Sequence, residues 1–210
     1  MILHKLILGA FGTNCYVFGS SKTNEVVVID PGAEPEQIIK LIEKLNAKPI
    51  AVLLTHGHVD HSTKVGKIMR TYDIPLIYNK KEYDSGVFTL KKASRWIKEG
   101  DSIQIGEIVL HVIETPGHSP GSVSYYTTNV KELDNQEIDG IIFTGDLLFR
   151  RSVGRSDLQG GDQNILFSSI KNKIMNNPDI TDSFVVFPGH MGKTTVGEER
   201  SQNMFRNYFM

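Results

Sequence analysis

Three histidines and one aspartate stand within six residues of this chain, in the segment Thr55-His56-Gly57-His58-Val59-Asp60-His61. The segment follows residues 50–54, an apolar run typical of a buried strand. Imidazole and carboxylate groups are ligands that suit zinc, iron and manganese, and in a turn that leaves a strand they can point into one pocket. Four such groups exceed what one metal ion would take from one loop. We therefore expect His56 and His58 to face one ion and Asp60 and His61 to face a second.

Three further candidate ligands each follow a strand-like run and stand directly after a glycine. They are His118 in Thr-Pro-Gly-His-Ser, Asp146 in Thr-Gly-Asp and His190 in Pro-Gly-His. Strands bring their ends together at one edge of a sheet, and a preceding glycine permits the tight turn that such a position needs. Seven groups, three per metal plus one shared carboxylate, fit two divalent ions about 3.5–4 Å apart. We expect zinc, with iron or manganese as alternatives. His4 and His111 lie inside strand-like runs and are interpreted as core or surface residues.

The remaining pattern predicts an α/β fold. Strand-like runs cover residues 15–18, 26–29, 50–54, 76–78, 108–113, 123–126, 140–143 and 184–187, and residues 1–8 are interpreted as a further strand, not a signal peptide. Helical spacing predicts three helices, over residues 35–46, after His61 and over residues 165–175. Thr195-x-x-Glu198 has the form of a capping box, which predicts a further short helix. The polar residues 129–139 predict a hairpin in solvent. We expect one domain over residues 1–210, with two sheets and helices packed outside them.

Charge and cysteine content narrow the class of function. The 23 basic and 24 acidic residues leave a net charge of -1, and no basic run suits nucleic acid or lipid, so a small-molecule substrate is favoured over a polymer. No apolar run approaches the roughly 20 residues that span a bilayer. The single cysteine, Cys15, excludes an internal disulfide and predicts a buried core thiol in a cytoplasmic protein. The oligomeric state stays open.

Four ordered motifs resemble the metallo-β-lactamase superfamily, and closely resemble its glyoxalase II-like branch. They are H-x-H-x-D-H at residues 56–61, T-P-G-H-S-P-G-S at 115–122, F-T-G-D-L-L-F at 143–149 and P-G-H at 188–190. The resemblance extends from residue 14 to residue 200. It implies a four-layer αβ/βα sandwich of two mixed sheets with helices outside, and a site at the edge between the sheets. It also implies three ligands on each metal, with Asp146 bridging: His56, His58 and His118 on one, and Asp60, His61 and His190 on the other.

The chemistry that follows is hydrolysis by an activated water. Two divalent cations lower the pKa of a bound water from about 15.7 toward 7, and polarise the carbonyl under attack. We expect the metal-bound hydroxide to attack a small thioester, such as an acylated glutathione or a related thiol conjugate, and Asp60 to orient it as a catalytic residue. Arg155 is the predicted substrate contact, since Gly154-Arg155 resembles the position where glyoxalase II enzymes place a basic residue against glutathione. Arg150 and Arg151 are as readily interpreted as solvated surface.

The sequence also departs from the glyoxalase II pattern. Those enzymes continue past the P-G-H motif into a helical domain, whereas this sequence ends at Met210, and His190 is followed by Met191 instead of the G-H-E-Y pattern that supplies an aromatic contact. The fold and metal chemistry are unaffected, but the thiol carrier is left open. Residues 80–100, with Tyr83, Phe88 and Trp96, either cover the site or pack as a small helix, and packing is favoured.

The alternative is oxidation. Persulfide dioxygenases share the implied fold and resemble residues 154–157 and 198–200, but use one iron bound by two histidines and an aspartate. Nucleic-acid processing is disfavoured by the near-neutral charge, and a non-catalytic module by the retention of all seven ligands. The cytoplasmic interpretation and the glyoxalase II-like motifs make β-lactam hydrolysis a remote alternative.

Overall fold

Two six-stranded mixed sheets face each other in the computed structural model, which describes residues 1–210. The first sheet holds, in chain order and in spatial order, β1 (Ile2–Leu8), β2 (Thr13–Gly19), β3 (Glu25–Ile29), β4 (Lys48–Leu53), β5 (Leu76–Asn79) and β6 (Arg95–Ile97). Strands β1 to β3 pair antiparallel and β3 to β6 pair parallel. The parallel half of this sheet therefore gathers the carboxyl ends of its strands at one edge.

The second sheet is also mixed. Its strands are β7 (Ser102–Ile105), β8 (Ile108–Glu114), β9 (Val123–Thr127), β12 (Ile141–Gly145), β15 (Val185–Pro188) and β16 (Thr194–Thr195), in the spatial order β16-β15-β12-β9-β8-β7. Strands β12 and β15 are parallel and all other neighbours antiparallel, so β8, β12 and β15 run in one direction. Two small hairpins complete the strands: β10 (Glu132–Leu133) with β11 (Gln136–Glu137), and β13 (Leu148–Phe149) with β14 (Ser152–Val153).

Strand β2 shows how the sheets are buried on both faces. Tyr16 and Phe18 point into the core between the two sheets, and Cys15 and Val17 point into the core between the first sheet and its helices. A strand with two buried faces needs apolar residues at consecutive positions instead of an alternating pattern. This is why residues 15–18 form an unbroken apolar run.

Helices cover the outer face of each sheet. The first sheet carries α1 (Pro35–Lys44), α3 (Val65–Tyr72) and α4 (Lys80–Asp84), and the short α2 (Val59–Ser62) lies in the connection after β4. The second sheet carries α5 (Gln163–Ser169), a π-helical segment (Ile170–Met175), α6 (Val196–Gln202) and α7 (Arg206–Phe209). Ile38 and Ile42 of α1 pack with Val65 and Ile68 of α3 against the first sheet. Full burial of one such side chain contributes about 1.5–3 kcal/mol. The four-layer αβ/βα sandwich is confirmed.

Several local predictions are also confirmed, with small corrections. Thr195 caps α6, its hydroxyl accepting a hydrogen bond from the Glu198 amide at 3.1 Å. Residues 129–139 form the predicted hairpin, although Val130 and Ile138 at its base are buried in the core between the sheets. The helix predicted over residues 165–175 changes to π-helical geometry after Ser169. None of the helices combines the length and the apolarity that crossing a bilayer requires.

Candidate metal centre

All seven predicted ligands lie together at one edge of the two sheets. His118, Asp146 and His190 follow β8, β12 and β15, whose carboxyl ends meet because the three strands run in the same direction. The loop and short helix after β4 carry the other four ligands on the facing sheet. The groups therefore converge from both sheets, as predicted from their positions after strands.

Three histidines form a first cluster. The nitrogens of His56, His58 and His118 lie within 4.8 Å of one another. His118 Nε2 lies 2.8 Å from His58 Nδ1 and 3.2 Å from His56 Nε2. His56 and His118 are buried, and His58 is half-buried at the floor of an open cavity. Three ring nitrogens thus point at one small volume.

Hydrogen bonds on the far side of two rings fix which nitrogen faces that volume. The Arg155 carbonyl lies 2.6 Å from His118 Nδ1, and because a carbonyl only accepts, Nδ1 carries the proton. His56 Nδ1 lies 3.1 Å from the Thr55 hydroxyl, which itself donates to Asp30 at 2.6 Å, so Nδ1 donates here too. Both Nε2 atoms then present lone pairs to the cluster, the form in which imidazole binds a metal.

A second cluster consists of Asp60, His61 and His190, whose ligand atoms also lie within 4.8 Å of one another. Asp60 Oδ2 lies 3.2 Å from His190 Nε2 and 3.4 Å from His61 Nε2. The far nitrogen of His61, Nδ1, donates to Asp30 Oδ2 at 3.0 Å, which leaves Nε2 to face the cluster. Thr13 donates to Asp60 Oδ2 at 2.9 Å and holds that carboxylate in place.

Asp146 lies between the two clusters. Its Oδ1 is 3.3 Å from His61 Nε2, and its Oδ2 is 3.6 Å from His118 Nε2 and 3.5 Å from His190 Nε2. One carboxylate thereby faces histidines of both clusters. This is the position that a ligand shared by two metal ions would occupy.

The donor set fits two divalent cations. His61 Nε2 and Asp146 Oδ1 are buried polar atoms without a hydrogen-bond partner, although buried polar groups are nearly always paired. The Nε2 lone pairs of His56 and His118 also oppose each other at 3.2 Å, an arrangement that a cation between them would stabilise. Imidazoles and carboxylates suit zinc, iron and manganese alike, so the geometry fits a dinuclear site without selecting the metal.

The two clusters differ in their proton affinity. Burial and the neighbouring imidazoles hold the pKa of His56 well below its ordinary value and lower the pKa of His58 to about 4, and burial lowers the pKa of His118. Burial also acts to lower the pKa of His61 and His190, but adjacent carboxylates outweigh it and raise both. The three-histidine cluster is therefore neutral at physiological pH and ready to bind a cation, whereas the second cluster attracts protons or a cation.

A sequence profile described as the metallo-β-lactamase superfamily matches residues 8–190. The chain belongs to the metallo-β-lactamase superfamily. It is 34% identical over 219 residues to the probable metallo-hydrolase YqgX of Bacillus subtilis, covering 98% of this chain and 97% of that protein. It is 30% identical over 214 residues to the hydroxyacylglutathione hydrolase GloC of Haemophilus influenzae, covering 94% of each. The relatives therefore match this superfamily member over nearly their whole length.

Solved structures show the same fold. The chain resembles the BLEG-1 B3 metallo-β-lactamase with a TM-score of 0.84 and 34% identity, covering 98% of this chain and 99% of that one. It resembles TTHA1623, solved in a di-iron-bound form, with a TM-score of 0.81 and 32% identity, covering 96% and 99%. It resembles ETHE1 from Myxococcus xanthus with a TM-score of 0.81 and 26% identity, covering 100% and 88%. One of these structural neighbours, TTHA1623, therefore binds two iron ions in its solved form.

Asp30 is a site residue that the sequence analysis missed. It accepts hydrogen bonds from the Thr55 amide at 2.8 Å and the Thr55 hydroxyl at 2.6 Å, and from His61 Nδ1 at 3.0 Å. It therefore orients His61 directly and His56 through Thr55. Asp30 follows β3 just as the candidate ligands follow their strands. That shared placement was the signal that could have revealed it.

The metal centre opens into a cavity of about 370 Å³. Its walls beyond the ligands are Phe11, Val59, Val87, Leu158 and Arg155. Phe11 and Val59 are 73% and 65% exposed, which places apolar surface at the mouth of the cavity. A small organic molecule with an apolar portion matches this lining.

The three arginines near Asp146 occupy different places. Arg155 lines the cavity, and its guanidinium makes two hydrogen bonds to Asp157, of 2.7 and 2.8 Å. Arg151 instead donates to the Glu198 carbonyl at 3.1 Å, and Arg150 lies outside the cavity. Only Arg155 is therefore placed to contact a substrate in the cavity.

Two further sequence interpretations concern groups outside the metal centre. Cys15 is fully buried, and burial raises the pKa of its thiol well above the ordinary value, as expected of a core residue. In residues 80–100, Phe88 is buried and Tyr83 and Trp96 pack against the same helix-side core, so the predicted packing role is confirmed. The segment also reaches the site, because Val87 lines the cavity and Glu82 accepts hydrogen bonds from Gly57, between His56 and His58, and from Ser119, next to His118.

Proposed function

We propose that this chain hydrolyses a small thioester, such as an acylated glutathione or a related thiol conjugate. It would use two divalent metal ions, for which zinc is the preferred candidate. The observation that carries the proposal is Asp146, whose two oxygens face the three-histidine cluster and the second cluster at 3.3–3.6 Å. When bound, two such cations lower the pKa of a water and polarise a carbonyl. The likeness to GloC, named a hydroxyacylglutathione hydrolase, supports a thioester as the substrate.

The chain's own residues would position the reacting groups. Asp60 is placed to accept a hydrogen bond from the attacking water and orient it, because Thr13 already fixes Asp60 Oδ2. Phe11 and Val59 at the cavity mouth would pack on the acyl group and exclude bulk water. The near-neutral net charge of -1 supports a small-molecule substrate over nucleic acid.

The test is a panel of acyl-thiol substrates assayed with the protein loaded separately with zinc, iron and manganese. We expect thioester cleavage that requires two equivalents of metal per chain. The second candidate is a mono-iron persulfide dioxygenase, the class of enzyme that residues 154–157 and 198–200 resemble, so oxygen uptake on a persulfide is measured in parallel. One iron per chain with oxygen uptake and no thioester cleavage would contradict the proposal.

His190→Ala separates the two candidates. His190 belongs to the second cluster, and the resemblance implies that the dioxygenase chemistry needs only two histidines and an aspartate on one iron. A dinuclear hydrolase should lose activity by about a hundredfold or more in this variant, since the second ion and its charge stabilisation go with the ligand. If H190A retained the wild-type rate of turnover, the result would favour the mono-iron persulfide dioxygenase.

Arg155 is proposed as a contact for a carboxylate on the thiol portion of the substrate. Arg155→Ala should raise KM about threefold for a thioester that carries a carboxylate, the size typical of solvent-exposed charge pairs, with kcat unchanged. Asp157→Ala removes the present partner of Arg155 and should lower that KM. An uncharged thioester serves as the control, and an equal KM change for both substrates would count against the contact.

A further inference from the structure

Helix α4 places one acidic side chain deep in the protein, within the segment to which the sequence analysis assigned no function. Glu82 is fully buried, at 0% exposure. The helix is fixed at its start by Asn79, whose side chain accepts a hydrogen bond from the Lys81 amide at 2.9 Å. None of the ion pairs of the protein includes Glu82, so no cation compensates its charge. A buried carboxyl of this kind costs free energy unless several hydrogen bonds stabilise it.

Three donors from two different loops converge on this carboxyl group. Glu82 Oε2 accepts from the Gly57 amide at 2.7 Å, and Oε1 accepts from the Ser119 hydroxyl and the Gly121 amide, both at 2.6 Å. Ser122 extends the network, with its hydroxyl 2.7 Å from that of Ser119. Burial raises the pKa of Glu82 while these donors act in the opposite direction. Because every partner donates, the ionised carboxylate is the form that satisfies all of them.

The two loops are those that carry the three-histidine cluster. Gly57 stands between His56 and His58, and Ser119 directly follows His118. The loops come from different sheets, since one follows β4 and the other follows β8. Glu82 therefore links the loop that carries His56 and His58 directly to the loop that carries His118.

We propose that Glu82 is a positioning residue for the three-histidine metal site, holding the His56–His58 loop and the His118 loop at the separation that metal binding requires. The proposal rests on the metal centre proposed above. It assigns to Glu82 the spacing between the two loops, and thereby a role distinct from that of Asp30, which orients individual rings.

Two glycines leave the room that this arrangement needs. A β-carbon at Gly57 would lie 2.4 Å from Phe88 Cβ and 2.9 Å from Glu82 Oε2, and one at Gly121 would lie 2.6 Å from the Glu82 backbone nitrogen. Real β-carbons do not approach other atoms so closely. Gly121 thus approaches the α4 backbone directly, and Gly57 approaches Phe88 and the Glu82 carboxylate, so the amides of both glycines can reach the same carboxylate.

The test is Glu82→Gln, which keeps the shape but offers one oxygen acceptor and an NH2 donor, so at least one buried N–H or O–H loses its acceptor. Zinc affinity is measured by chelator competition in two backgrounds: H190A, which leaves the three-histidine site, and H118A, which leaves the second. We expect E82Q to raise the Kd of the three-histidine site about 10–100-fold, the usual cost of losing a residue that supports ligands. In the H118A background, E82Q should change the Kd of the second site much less.

Glu199→Gln is the matched control. Glu199 is likewise 0% exposed and accepts from the Arg151 amide, Asn203 and Thr194, and it also pairs with the Arg151 guanidinium at 3.7 Å. It contacts neither the His56–His58 loop nor the His118 loop. E199Q should lower the melting temperature as E82Q does and leave both zinc affinities unchanged. An unchanged Kd of the three-histidine site in E82Q, or equal weakening of both sites in E82Q and E199Q, would overturn the proposal.

Ser119→Ala keeps the proposal testable if E82Q fails to fold. It removes one donor and keeps the carboxylate, and should raise the Kd of the three-histidine site severalfold, less than E82Q does, because the Gly57 and Gly121 amides still bind the carboxylate. An unchanged Kd in S119A together with unfolded E82Q would count against the bridge. A wild-type chain that binds no zinc would instead contradict the proposed function itself.

Discussion

Replacing Asp146 with asparagine is expected to remove metal from both clusters and to lower thioester hydrolysis by about a thousandfold or more. Asp146 is the carboxylate that faces histidines of both clusters, so its charge is shared between the two sites. Losing several kcal/mol of charge stabilisation in the transition state corresponds to a rate loss of about this size. Elemental analysis after desalting gives the metal content, and kcat/KM on the best thioester gives the rate.

Asp73→Asn is the control for Asp146→Asn. It makes the same chemical change at an exposed position, where the backbone has a φ of 51°, a conformation that asparagine tolerates as well as aspartate does. D73N should retain two metals and full activity. If D146N also retained both metals and full turnover, the shared-carboxylate mechanism would be wrong.

The ligand set could be predicted because its signal is local in the sequence. Each ligand follows an apolar run, and a run of strand length implies where its carboxyl end lies. The motif H-x-H-x-D-H adds a spacing that solvated loops seldom show. The sandwich could likewise be predicted, since residues 15–18 and similar runs are apolar at consecutive positions, as strands buried on both faces require.

The supporting residues could not be predicted in the same way. Glu82 contacts residues 25, 37 and 39 positions away, and its position on α4 gives no sign of which loops it will meet. The ion pair between Arg155 and Asp157 could not be predicted for a different reason. The two residues are close in sequence, but their side chains meet only because of the backbone conformation between them. Ligands are thus indicated by where strands end, whereas the groups that hold the ligands depend on tertiary packing.

Gly154→Ala is expected to destabilise the protein by about 3 kcal/mol or more and to weaken metal binding at both clusters. A β-carbon at Gly154 would lie 1.7 Å from the Asp146 carbonyl oxygen and 3.5 Å from His118 Nδ1. The β13–β14 hairpin returns the chain onto the Asp146 turn, where the Gly154 amide donates to the Leu147 carbonyl at 3.1 Å. The turn must therefore move away from its neighbours, at a cost at or above the upper range of overpacking changes.

Gly192→Ala provides the comparison, because a β-carbon there would meet only Arg150 atoms at 3.8 Å or more. Thermal unfolding of both metal-free variants in chelator measures the packing cost alone. For a chain of this size about 3 kcal/mol corresponds to a Tm lower by roughly 6–12 °C in G154A, whereas G192A should change little. Zinc titration then tests the link to the site, since displacing the Asp146 turn moves the carboxylate that both clusters share. A G154A protein with wild-type Tm and wild-type zinc affinity would show that this close approach does not hold the turn.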